Sequence, residues 1–124
     1  MRLTGKPMLM SSNRGLEIAW VSCYDMGMIQ SFKNPGTEDI FNGENTKAAR
    51  KICPNSISKV AVRKLDQIDS VVALHELRIP PNNKLEALSG ERKGQHSIRI
   101  NDQYRICFVW TESGPDQVEI VDYH

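Results

Sequence analysis

The stretch that decides the fold is QHSIRINDQYRICFVWTESGPDQVEIVDYH, residues 95–124. Three runs in it alternate with period two. In the first, Ile98 and Ile100 share one side against Ser97, Arg99 and Asn101. In the second, Tyr104, Ile106, Phe108 and Trp110 stand against Arg105, Cys107 and Val109. In the third, Val118, Ile120 and Asp122 stand against Glu119, Val121 and Tyr123. Successive side chains of a strand point to opposite faces, so each run reads as a strand. The connections NDQ and TESGPDQ are short turns and loops, which makes consecutive strands antiparallel neighbours. The last strand closes on Asp122, Tyr123 and His124, three side chains that hold or move protons.

Upstream, KLEAL (84–88) predicts a further short strand, and SGERKG (89–94) a turn with two glycines. HELRIPPNN (75–83) is a proline-bounded loop. Before it lies the strongest helical pattern, NSISKVAVRKLDQIDSVVAL (55–74). There Ile57, Val60, Ala61, the Lys64 stem, Leu65, Ile68 and Val72 recur at three- and four-residue steps, with Asn55 or Ser56 as cap. Lys59, Arg63, Asp66, Gln67 and Ser70 face away. Thr37 is a candidate cap for a short helix ended by Gly43, and ENTKAARKICP (44–54) a further helical turn or loop. MIQSF (28–32) alternates as a strand. Helices followed by a hairpin-rich sheet define an α+β fold in which the main helix covers one sheet face. The other face is left for function.

At 124 residues the chain is long enough to bury a core without staples. Its formal net charge of +1 sets up no global field for nucleic acid, so any such role rests on local clustering. Three cysteines, Cys23, Cys53 and Cys107, without CxxC spacing argue against a disulfide framework or a zinc site. They read as thiols of a reducing cytoplasm, with Cys107 a small core residue. No stretch approaches a membrane span, and IAWVSCY is too short and interrupted for a signal peptide. Residues 1–27 lack a sustained period, although LEIAWVSCY fits a short strand. They read as an extension outside the domain, either genuine or upstream sequence brought in by the choice of start codon. The domain proper spans residues 28–124.

The chemistry gathers in the last strands. Arg99 and Arg105 lie on neighbouring strands, Arg92 and Lys93 in the preceding turn, and His96 opens a strand. Basic groups converge without a matching run of carboxylates, which suits a phosphate backbone. RNA can be cut without a metal when the 2′-hydroxyl attacks its own phosphate. The protein must then move two protons and hold charge on the phosphoryl oxygens. His, Tyr and Asp or Glu serve the first need, Arg and Lys the second. Taken singly, each of these residues reads as a solvated surface group, and the pattern alone supports a basic binding face.

GERKGQHSIRINDQYRICFVW, with IQSF, LEALSG and GPDQVEIVDYH, resembles the HigB group of the RelE/ParE toxin superfamily. The resemblance covers residues 28–124. It implies a RelE/ParE-like α+β fold, with helices packed on a curved antiparallel sheet. It also implies a ribosome-dependent endoribonuclease that cuts mRNA in the A site with no cofactor and no metal. The implied partners are a HigA-type helix-turn-helix antitoxin, the ribosome and mRNA, with operator DNA reached only through the antitoxin and no membrane. On the same resemblance Arg105 steadies the scissile phosphate, Asp122, Tyr123 and His124 form a catalytic trio, and Arg92 and Arg99 hold RNA phosphate. Lys93 and His96 would assist in binding. Glu86 and Ser89 stand where some HigB toxins carry a His and a Lys, and Glu86 is a candidate base. The rival expectations are a sister toxin that binds DNA gyrase without cutting RNA, and a non-toxic chain that tunes its antitoxin's operator binding.

Overall fold

The structure, a computed structural model, describes residues 28–123. The proposed extension at 1–27, with its candidate strand, and the candidate catalytic residue His124 lie outside the described residues. The elements follow as α1 (Pro35–Phe41), α2 (Lys47–Ile52), α3 (Ser58–Ser70), β1 (Glu86–Ala87), β2 (His96–Arg99), β3 (Tyr104–Thr111) and β4 (Gly114–Asp122). The strands form one antiparallel sheet in sequence order, and the helices precede it, giving the expected α+β fold.

α1 starts earlier than Thr37. Its cap is Asn34, whose Oδ1 accepts from Thr37 N at 2.9 Å and Thr37 Oγ1 at 2.8 Å, and Pro35 occupies the first turn. Thr37 is fully buried instead, and its Oγ1 accepts from Ile120 N at 3.1 Å. That bond ties α1 to the outer edge of β4 and satisfies a donor that no strand partner reaches. α2 is capped by Thr46, which accepts from Ala49 N at 3.0 Å and donates to Asp39 at 2.6 Å.

α3 packs Ala61, Leu65 and Ile68 onto Ile98, Ile106, Phe108 and Val118, all with no solvent exposure. The expected helix is longer than the observed one. It stops at Ser70, and Val72, expected on the buried face, is 60% exposed. The cause is Glu76: its Oε1 accepts from Val72 N at 2.8 Å and Ala73 N at 3.2 Å, so those amides leave the helical ladder.

Three other expectations change. KLEAL shortens to a two-residue edge strand, because Lys84 takes a left-handed conformation with φ 46°. The expected loop TESGPDQ closes to a tight turn, since Thr111 already pairs with Gly114. Residues 28–33 lie extended along the outer edge of β4, but with an isolated parallel bridge, Phe32 to Val118, rather than a strand. Gln30 N reaches Pro115 O at 2.7 Å, Val118 N reaches Ser31 O at 3.0 Å, and Lys33 N reaches Val118 O at 2.9 Å. The Phe32 ring meets that of Phe41 at 5.4 Å. Among the described residues no helix is long and apolar enough to cross a membrane.

Candidate functional site

Strand parity divides the sheet into two chemical faces. Ile98, Ile106, Phe108, Val118 and Ile120 enter the core under the helices. Ser97 and Arg99 of β2, Arg105 and Cys107 of β3, and Glu119, Val121 and Tyr123 at β4 therefore share the opposite face. The register sets Ser97 beside Cys107, Arg99 beside Arg105, Cys107 beside Glu119 and Arg105 beside Val121. Glu86 of β1 lies beside Ser97.

Arg105 is the centre of this face. It is only 9% exposed. Its Nε donates to Ser97 Oγ at 2.8 Å and its Nη2 to the Lys84 carbonyl at 2.7 Å. Glu86 Oε1 lies 3.7 Å from Nη2, and the guanidinium carbon sits 5.8 Å from the centre of the Tyr123 ring. The left-handed turn at Lys84 thus has a second consequence, since it presents that residue's carbonyl to the arginine. Arg99 is directly opposite in register, where like charges repel. The two guanidiniums diverge, Arg99 pairing with Asp102 and Arg105 turning toward β1.

Arg92 reaches the same face from the turn before β2. Gly90 and Gly94 hold φ of +65° and +94°, a backbone that L side chains rarely adopt, and the turn doubles back over the sheet. Arg92 Nη1 donates to Gln95 Oε1 at 3.1 Å and to Glu119 Oε1 at 3.2 Å. Lys33 Nζ lies 3.6 Å from the same Glu119 oxygen. Partial burial works against the Arg92 charge. The Glu119 hydrogen bond and the Coulombic pull of Cys107, Glu119 and Tyr123 outweigh it and raise its pKa. Lys93 stands exposed at the end of the turn.

Cys107 is fully buried, the small core residue that was expected, although it stands outside the main hydrophobic cluster. It lies on the Arg105 face, beneath the charged groups. Burial pushes its thiol up, Glu119 adds to that, and Arg92, Arg105 and Lys33 pull the other way.

Of the expected terminal trio, the two described residues lie on opposite faces of β4. Tyr123 is 43% exposed on the Arg105 face, and its backbone N–H donates to Gln103 O at 2.6 Å. Asp122 shares parity with Val118 and Ile120, so it belongs to the other face, where Gln103 Nε2 donates to its Oδ2 at 3.1 Å. His96 is likewise on the helix side. Its ring stacks on Phe108 at 6.3 Å, its Nδ1 is buried without a hydrogen-bond partner, and it lines a cleft of about 430 Å³ with Leu74, His75, Arg78, Leu85 and Ala87. The structure therefore brings together Arg105, Glu86, Tyr123 and Arg92, leaves Arg99 and Lys93 at the margin, and separates Asp122 and His96 from them. Among the described residues no cluster of His, Cys, Asp or Glu could hold a metal ion. Ser97, Glu119 and Lys33 are parts of the site that the sequence reading missed. Parity with Arg105 and Cys107 across short turns was a usable signal for the first two, and nothing local signals Lys33.

Over residues 30–124 the chain matches the family of HigB-like toxins, described as the RelE-like toxin of type II toxin-antitoxin system HigB. It is 42% identical over 85 residues to Toxin HigB-1 of Vibrio cholerae, covering 68% of this chain and 86% of that protein. An uncharacterized protein of Haemophilus influenzae is 42% identical over 57 residues, covering 46% and 56% respectively. Among solved structures, the YoeB-YefM complex from Staphylococcus aureus aligns with a TM-score of 0.44 at 15% identity, over 77% of this chain and 97% of that one.

Proposed function

The chain belongs to the HigB-like toxins of type II toxin-antitoxin systems, and from that membership we propose that it is a metal-independent endoribonuclease that cuts mRNA in the ribosomal A site. The observation that carries the reading is the state of Arg105. Its guanidinium is nearly buried, tied by hydrogen bonds to Ser97 and Lys84 O, and faced by the Tyr123 ring. A surface arginine kept for solubility needs none of that. A cation fixed in advance at one point suits charge that develops at one point, as on a phosphoryl group under attack.

In the proposed step the 2′-hydroxyl loses its proton to a base and its oxygen attacks the adjacent phosphorus. The bond from phosphorus to the 5′-oxygen breaks, and that oxygen takes a proton from an acid. The products are a 2′,3′-cyclic phosphate and a 5′-hydroxyl, and no oxidant or metal is consumed. Arg105 holds the phosphoryl oxygens. Glu86, 3.7 Å from Arg105, is the candidate base, and Tyr123 and His124 are the candidates for protonating the leaving oxygen. Asp122, on the other side of β4, would act by holding the end of the strand through Gln103, and with it Tyr123. Neutralisation falls to an antitoxin, in this reading a HigA-type helix-turn-helix protein, and the target makes the site of action the cytoplasm.

The test is induction of the chain without its antitoxin, followed by mapping of mRNA ends. Wild type should arrest growth and produce new 5′-hydroxyl ends within codons of translated messages. Arg105→Ala should do neither, at equal protein level. Growth arrest with intact mRNA would overturn the ribonuclease reading and favour a toxin that works by binding.

A further inference from the structure

We propose that Lys33 is an RNA-phosphate contact, and that Lys33 and Arg92, gathered on Glu119, form a second phosphate site on the same sheet face as Arg105. The inference rests on the ribonuclease reading and adds to it a residue that lies outside the strands and turn of the site.

Backbone geometry puts Lys33 there. Its N–H donates to Val118 O at 2.9 Å, and the residue before it, Phe32, bridges Val118 and turns its ring inward against Phe41. In an extended segment the next side chain must emerge on the opposite side, which is the Arg105 face. The ammonium ends 3.6 Å from Glu119 Oε1, and Arg92 Nη1 lies 3.2 Å from that same atom.

One carboxylate shared by two cations leaves an excess positive charge. The arrangement is also layered. The Glu119 side chain is 17% exposed, Arg92 is 30% and Lys33 is 49%. The carboxylate is thus the inner group and the cations the outer ones, so an anion approaching from solvent meets the cations first. A pair kept only for surface stability needs a single partner on each side. Here the second cation is surplus to neutralising Glu119.

The surroundings of Cys107 show the same convergence. Its thiol feels Arg92, Arg105 and Lys33 together, three cations from three separate segments around one buried atom. Glu119 pairs with Cys107 in register, and Arg105 is two residues along β3. An RNA strand held at Arg105 and crossing the sheet toward its outer edge therefore passes Arg92 and Lys33.

The experiment is cleavage of a short mRNA on programmed ribosomes by the purified full chain, across a series of salt concentrations. Lys33→Gln should raise KM several-fold at moderate salt and leave kcat within about twofold. The slope of log affinity against log salt should fall by about 0.7, the share of one single-strand phosphate contact. Lys33→Arg should restore both. A cutting wild type matched by Lys33→Gln in KM and salt slope overturns this inference alone, as does a loss confined to kcat. A wild type that cuts nothing overturns the ribonuclease reading and this inference with it.

Discussion

Replacing Ser97 by alanine removes one oxygen atom and tests how the site holds its arginine. Ser97 has no solvent exposure, and its Oγ is the acceptor for Arg105 Nε at 2.8 Å. The Arg105 side chain is 11% exposed. In Ser97→Ala the Nε–H keeps its burial and loses its acceptor. Leaving a buried donor unsatisfied costs about 1–3 kcal/mol. The guanidinium can recover part of this by turning toward Glu86, which is 3.7 Å away, so about 1.5 kcal/mol is the expected net loss. For a domain of this size that lowers Tm by about 5–10 °C. The turn that recovers the energy also displaces the cation. A misplacement on the order of 1 Å costs up to about 100-fold in rate, so kcat should fall by roughly 10- to 100-fold with little change in KM. Thermal melting followed by circular dichroism and single-turnover cleavage on programmed ribosomes read the two effects. A variant with wild-type Tm and wild-type kcat would refute the claim that Ser97 orients Arg105. A lowered Tm with unchanged kcat would mean the hydrogen bond serves the fold and not the phosphate.

Two further outcomes test the fold that carries the site. Cys53 is 2% exposed, and burial pushes its thiol up to about 11 from an ordinary 9.0. Below pH 9 both folded and unfolded chains hold the proton. As pH rises toward 11 the unfolded chain ionises first, so folded stability falls, by about 2–3 kcal/mol at the end of the window. Cys53→Ala should therefore show a flatter decline of Tm than wild type between about pH 9 and 10.5, and parallel declines would sink the argument. Gly36 sits where α1 crosses α2: an added Cβ would come 2.6 Å from the Ala48 carbonyl oxygen and 2.9 Å from Ile52 Cδ1. The oxygen belongs to the backbone of α2 and cannot yield without moving that helix. Gly36→Ala should cost about 2 kcal/mol and lower Tm by about 10 °C, and a shift under about 2 °C would mean the helices slide apart freely.

Much of the fold was legible because its signals are local. Period-two alternation found β2, β3 and β4, and three- and four-residue spacing found α3. The failures have non-local or side-chain causes. The helical pattern runs on to Val72, but Glu76 takes the amides of Val72 and Ala73, a cap that hydrophobic periodicity does not register. Thr37 has the chemistry of a cap, and Asn34, three residues earlier, performs the role while Thr37 is drawn to Ile120 across the chain. MIQSF alternates as a strand should, yet its partner is the outer edge of β4, where α1 already competes for backbone donors. It is left with a single bridge.

The site divides along the same line. Parity, readable in the sequence, already set Tyr123 with Glu119 and Val121 and set Asp122 with Val118 and Ile120. The separation of Asp122 from Tyr123 across the strand was therefore implied before any side chain was placed. His96 has the parity of Ile98, and its stack on Phe108 follows from that. Grouping these residues by chemical type left that parity unused. What parity cannot supply is contact between distant segments. Glu119 lies between Arg92 and Lys33 only because the turn before β2 folds back and the segment before α1 runs along β4. Arg105 is held by a carbonyl that the left-handed Lys84 turns toward it. Each is a consequence of assembly rather than of a motif. The proposed phosphate site concentrates charge that the whole chain, at +1, does not have. The proposed binding face therefore depends on the sheet being formed, since Lys33 and Arg92 meet only on Glu119 of β4.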